Sequence, residues 1–184
     1  MYFDRRNWVD SYIGSLRSLL THPGAFYASL PKAHDYANSL WFLIITVSVP
    51  TLVIAAGTLG ISLFLAPMFW LFVVAGAWLW AVYLRWVIRV FAKKEVPTAH
   101  AFEICAYANA PLLLAWVPLV NAVVGIWSLV LMWLGLTRNL RLSSGMALII
   151  LLVPFLIMTI SGGVLLALLS TYAVQNGMAP PDIL

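Results

Sequence analysis

Between Ala106 and Leu136 the chain carries no charged side chain, yet the run holds Asn109, Pro111, Pro118 and Asn121. Such a run is too apolar for a soluble surface and too interrupted for one straight helix. Laid out as a single helix from Phe102 to Leu136 it would measure roughly 50 Å, against about 30 Å for the hydrocarbon core of a bilayer. It is therefore expected to fold back as two short arms that turn near Val117–Asn121, where Pro118 and Asn121 supply turn chemistry. Arms of about 16 residues either cross a locally thinned bilayer or dip in and return as a re-entrant pair. Both arrangements leave the two ends of the run on one side.

The rest of the chain has the same character. Hydrophobic residues make up 64% of the 184 residues and charged residues 9%, where a soluble domain carries about 25% charged. Runs long enough to span are expected at Leu40–Leu59, Pro67–Phe91 and Met146–Thr171. Ile61–Ala66 reads as an interfacial turn, and Ala92–His100 and Thr137–Gly145 as loops. The first apolar run starts too far in for a signal peptide and is expected to be retained. The expected fold is an all-α polytopic membrane protein. Five transmembrane helices lie within 39–173, after a cytoplasmic segment 1–38 and before a short extracytoplasmic tail 174–184.

The basic residues sort with the loops. Arg5, Arg6, Arg17 and Lys32 precede the first span; Arg85, Arg89, Lys93 and Lys94 end the second; Arg138 and Arg141 precede the last. The Gly57–Gly60 link and the tail have none. The excess of Lys and Arg in cytoplasmic loops puts the N-terminus in the cytoplasm and the C-terminus outside. This sorting accounts for the net charge of +4 without a nucleic-acid partner. Within residues 5–20, Trp8, Tyr12, Ile13, Leu16, Leu19 and Leu20 recur at helical spacing, with Arg5, Arg6, Asp10, Ser11 and Arg17 opposite. An amphipathic helix is expected there, ended by His22-Pro23-Gly24, lying on the membrane surface or the bundle, or docking a partner.

Few residues offer chemistry. Pro50, Pro111, Pro118 and Pro154 each remove a backbone bond and free the carbonyl four residues back. Tyr107, Asn109, Pro111 and Asn121 are the candidates for lining a polar cavity. The plainer role for Asn109 is a hydrogen bond between helices, worth about 1 kcal/mol. Arg85 and Arg89, one turn apart, and Arg138 are candidates for an anion or a lipid head group. Glu103 is expected to pair with Arg85 or Arg89, because a charge at that depth needs a partner. His100, Glu103 and Cys105 lack the spacing of a closed metal site, so neither metal nor cofactor is expected. The single cysteine permits no intrachain disulfide. Thr159, Gly163, Ala167 and Thr171 form a small-residue stripe that suits packing in the monomer or a homo-oligomer.

In order and spacing, Tyr107-Ala108 with Ala110-Pro111, then Gly125 and Trp127, Gly135-Leu136, Leu142-Ser143 and Pro154 resemble the Yip family of Ypt/Rab-interacting membrane proteins in its compact prokaryotic form. The resemblance runs from about Leu20 to Ile160 and includes the segment LTHPGAFYASL. It implies five transmembrane helices and a cytoplasmic N-terminus. Eukaryotic relatives bind Rab-type GTPases and act in vesicle traffic and membrane shaping. Their acidic Asp-Leu-Tyr-Gly-Pro motif does not occur in these 184 residues. The expected function is therefore non-enzymatic: membrane organisation or partner recruitment, in a prokaryotic inner membrane. The rival reading is a small transporter or channel whose path runs past Asn109. An enzyme acting on lipid has only His100 with Glu103 to offer.

Overall fold

The computed structural model describes residues 2–30, 36–58, 60 and 64–175. Lys32, part of the expected turn at Ile61–Ala66 and most of the tail 174–184 lie outside the described residues. Every described element is helical. The helices are α1 (Trp8–Thr21), α2 (Pro23–Ser29), α3 (Tyr36–Gly57), α4 (Ala66–Val87), α5 (Thr98–Ala108), α6 (Pro118–Leu134) and α7 (Ser144–Gln175). The chain forms two units, one up to Ala147 and one from Leu148 onward.

Four helices are long and apolar enough to cross a membrane: Tyr36–Gly57, Ala66–Ala92, Leu119–Asn139 and Ser144–Val164. The first arm of the expected hairpin is not among them. Its α-helix stops at Ala108, and a 3-10 segment, Ala110–Leu114, continues it. Pro111 is the cause, since it has no N–H to offer the carbonyl of Tyr107. The chain tightens instead: Asn109 N–H reaches the carbonyls of Cys105 and Ala106, and Leu112 N–H donates to the Asn109 carbonyl at 2.9 Å. The turn then falls at Val117, whose extended backbone starts α6 with Pro118 in its first turn.

α5 is the centre of the larger unit. All residues from Ala101 to Ala108 are buried, and α3 and α4 pack against them. Ala101, Ala106 and Ala108 let neighbouring backbones approach closely. In α3, Thr46 Oγ1, Ser48 Oγ and Thr51 Oγ1 donate to the carbonyls four residues back, at 2.7–2.8 Å. These internal bonds let hydroxyls sit in an apolar helix without orphaned donors.

The N-terminal segment is built into this unit. Asp4 Oδ1 accepts from Arg6 N–H and caps a 3-10 turn, Arg5–Asn7, that leads into α1. α1 buries Ser11, Tyr12, Ser15 and Leu19. This differs from the amphipathic pattern read in the sequence, which set Ser11 on the polar face and Trp8 and Ile13 on the apolar one. The serines turn inward because small side chains allow close contact, while Trp8, Val9, Ile13 and Leu20 stay exposed. His22 ends α1 as expected, but Pro23 at once starts a second short helix, α2, whose Phe26 and Tyr27 are buried.

α4 and α6 end alike. Each runs into one π turn, Ile88–Ala92 and Gly135–Asn139. A basic residue in left-handed conformation follows each, Lys93 at φ 51° and Arg141 at φ 52°. Lys94 Nζ donates to the carbonyls of Leu140 and Arg141 at 3.2 and 3.3 Å. The two loops rich in Lys and Arg are thereby joined. In the second unit, α7 passes Pro154 without stopping, and Thr159, Gly163, Ala167 and Thr171 are exposed along it.

Candidate functional site: the surroundings of α5 and the basic face

The most densely built feature is an aromatic cluster that seats the N-terminal segment on α3 and α5. The Tyr107 ring lies 5.0 Å from Phe26 and 4.7 Å from Phe42, centroid to centroid. Phe42 in turn meets Tyr12 at 5.2 Å and Phe3 at 6.0 Å. Such edge and tilted pairs add about 0.5–1.5 kcal/mol each beyond their burial. The two phenols bring polar atoms into this cluster and both find partners. Phe3 N–H donates to Tyr107 Oη at 3.3 Å, and Tyr12 Oη lies 3.2 Å from Thr46 Oγ1. Burial raises the Tyr12 phenol above its ordinary range, and the Thr46 hydrogen bond opposes this only in part.

The residues expected to line one polar cavity are divided among several places. Tyr107 belongs to the aromatic cluster. Asn109 lines a cavity of about 290 Å³ with Phe72, Trp80, Cys105, Leu112 and Met132. Its Nδ2 donates to the Cys105 carbonyl at 2.8 Å, so the amide closes the end of its own helix. Asn121 lines a different cavity, of about 470 Å³, with Pro50, Thr51, Phe69, Leu112 and Ala115. Leu112 is a wall of both. Pro111 is buried at the head of the 3-10 segment.

The arginines also divide. Arg85 and Arg89 line a surface pocket of about 350 Å³ with Glu95, Val96 and Pro97. Arg85 Nη1 donates to Thr98 Oγ1 at 2.9 Å, and Arg89 Nη2 lies 3.7 Å from Glu95 Oε1. That pair is exposed and worth at most about 1 kcal/mol. Arg138 is exposed elsewhere, its guanidinium beside Gly24 of α2. Glu103 is only 4% exposed, in the neighbourhood of Tyr27 and Tyr107.

Two residues that matter here had not stood out. Asn139, in the π turn after α6, pairs its Oδ1 with His100 Nε2. Its Nδ2 donates to the Tyr27 carbonyl at 2.9 Å. One amide thus joins the starts or ends of α2, α5 and α6. The only hint in sequence is an asparagine just past the end of an apolar run. Gly135 sits in the same region, and a Cβ there would come within 2.5 Å of Ile104 Cγ2 and 3.1 Å of the Tyr27 ring. Only a residue without a side chain fits.

No curated protein and no solved structure matches the chain. A family model described as the Yip1 domain matches residues 17–167, from within α1 to well along α7, and the chain is thus an integral membrane protein of the Yip family.

Proposed function

We propose that this protein is a non-enzymatic membrane organiser. It holds a basic cytoplasmic platform, made of the N-terminal segment and the loops after α4 and α6, against a bundle that crosses the bilayer five times. The observation that carries this reading is the burial of the N-terminal segment in the aromatic cluster. Phe3, Phe26 and Tyr27 are at most 1% exposed, so the segment is a fixed part of the fold. Arg5, Arg6 and Arg17 then face outward on a rigid surface. The family is generally non-enzymatic, which agrees.

The fifth crossing is Thr98–Leu114. Its α-helical part contributes about 16 Å and its 3-10 part about 10 Å, together close to a hydrocarbon core of about 30 Å. The Lys94 bonds to the Leu140 and Arg141 carbonyls support a hairpin whose two ends share a side. The basic side faces the cytoplasm of a prokaryotic inner membrane. Single cysteines at Trp116, Lys94 and Thr58, in a chain with Cys105 replaced, test this. A membrane-impermeant maleimide added outside is expected to label Trp116→Cys and Thr58→Cys and spare Lys94→Cys. Labelling of Lys94→Cys refutes the orientation; protection of Trp116→Cys makes the hairpin re-entrant.

The rival is transport, favoured by the two cavities that share Leu112. It requires solute flux in proteoliposomes that Asn109→Leu or Leu112→Trp reduces. The organiser reading expects no such flux, and expects a cytoplasmic partner to crosslink through Arg17→Cys.

A further inference from the structure

A second feature of the N-terminal segment is not absorbed by this reading, though it rests on the cytoplasmic placement of that segment. Phe3, Arg5, Trp8, Trp41 and Ile45 line a groove of about 520 Å³ between the N-terminal turn and α3. Ligand sites typically measure about 300–1,000 Å³. The floor is the ring of Phe3, fully buried, and the flanks are Trp8 and Trp41, 54% and 48% exposed. Arg5 is exposed at the same groove. Among the described residues it enters no ion pair. The nearest acid in sequence, Asp4, turns its carboxylate to the N–H of Arg6 at 3.0 Å.

We propose that this groove holds one anionic phospholipid, its phosphate at Arg5 and an acyl chain between Trp8, Trp41 and Ile45. Three features select this occupant. Trp41 and Ile45 lie in the first half of a membrane-spanning helix, Tyr36–Gly57, so the groove descends from head-group level into the hydrocarbon. Tryptophan is the side chain that favours that level, because its ring is apolar and its N–H is not. Arg5 is the one charged side chain among these lining residues, which matches a molecule with one anionic end and one apolar end. A soluble anion would leave the apolar walls uncovered. A peptide helix would leave Arg5 without a fixed counter-charge.

The test uses the full chain reconstituted into phosphatidylcholine vesicles that contain phosphatidylglycerol. Tryptophan fluorescence is quenched by adding bromine to the acyl chains of one lipid or the other. The wild type is expected to show more quenching by brominated phosphatidylglycerol than by brominated phosphatidylcholine. Arg5→Gln should lower that preference about fivefold, the worth of one basic side chain at an anionic surface. Trp8→Phe should shrink the excess by removing a reporter, and Trp78→Phe, exposed on α4, should leave it. Arg17→Gln separates the groove from the general charge of α1 and should also leave it. Equal quenching by the two lipids overturns the proposal. So does an excess that survives Arg5→Gln, ignores Trp8→Phe, or falls as far in Arg17→Gln. The cysteine labelling above fails or succeeds independently of these readings, so a wrong orientation and an empty groove are told apart.

Discussion

Gly135→Ala probes the junction that holds the N-terminal helices to the bundle. Gly135 is buried at the start of the π turn after α6. The added methyl would sit 2.5 Å from Ile104 Cγ2, with Tyr27 ring carbons at 3.1 and 3.3 Å. Carbon atoms in contact prefer about 3.5–4.0 Å. Neither neighbour yields easily. Ile104 and Tyr27 are both fully buried, and a β-branched side chain in a helix has essentially one rotamer. Overpacking of this kind costs about 1–3 kcal/mol, and the depth of the overlap argues for the upper end. Against it stands the gain of about 1 kcal/mol for alanine over glycine in a helix. The net expectation is a loss of about 1–2 kcal/mol. At about 2–4 °C per kcal/mol for a chain of this size, thermal unfolding in a fixed detergent should start several degrees lower. The same substitution made in an Ile104→Ala background should lose most of its effect, a coupling of at least about 1 kcal/mol. A Gly135→Ala protein as stable as the wild type would mean that Ile104 and Tyr27 give way to a methyl group, and a penalty unchanged by Ile104→Ala would mean that the overlap with Ile104 is not its source.

Other expectations concern the same region. The Tyr27 hydroxyl is buried and has no hydrogen-bond partner among the described residues, so Tyr27→Phe should stabilise by about 1 kcal/mol, read as a higher unfolding temperature. Burial, with smaller contributions from Cys105, Tyr107 and Glu103, holds the Tyr27 phenol well above its ordinary value of 10.0. The folded chain keeps that proton while the unfolded chain releases it, so this share of stability is intact below about pH 10 and lost as pH climbs past it. Thermal scans at rising alkaline pH should show a shallower decline for Tyr27→Phe than for the wild type. Lys93→Gly relieves a left-handed backbone worth about 1 kcal/mol but removes a charge; it should be neutral to slightly stabilising, and a drop beyond about 1 kcal/mol would mean that the charge outweighs the backbone.

The spans were legible because bilayer thickness imposes a length on apolar runs. Leu40–Leu59, Pro67–Phe91 and Met146–Thr171 each fall within a few residues of α3, α4 with its π turn, and α7. The turn at Val117 was legible from Pro118. The break at Asn109–Pro111 was legible as a loosened backbone, but its consequence was not: the freed turn tightens into a 3-10 segment and draws Asn109 onto its own helix. The family pattern acquires physical content at two places. Tyr107, Ala108, Ala110 and Pro111 are all buried, and Gly135 admits two side chains where its own is missing. Other features left no periodic trace. The inward face of α1 depends on which side chains are small enough for close approach, and the His100–Asn139–Tyr27 connection joins residues far apart in sequence. The candidate site was legible mainly as a set of residue types, and only the fold separates Tyr107, Asn109 and Asn121.

The wide terminal turns of α4 and α6 have a consequence for engineering. The C-terminal ends of helices carry partial negative charge, and here Lys93, Lys94, Arg138 and Arg141 gather at two such ends, with Lys94 donating to the Leu140 and Arg141 carbonyls just past the second. Lysines and arginines beside spans are in general the residues that bias how a membrane protein is threaded, and here the same residues sit at the electronegative ends of two finished helices. Removing the charge of Lys94, Arg138 or Arg141 to alter threading would therefore also touch a helix end, so a change meant for topology is read together with its effect on stability.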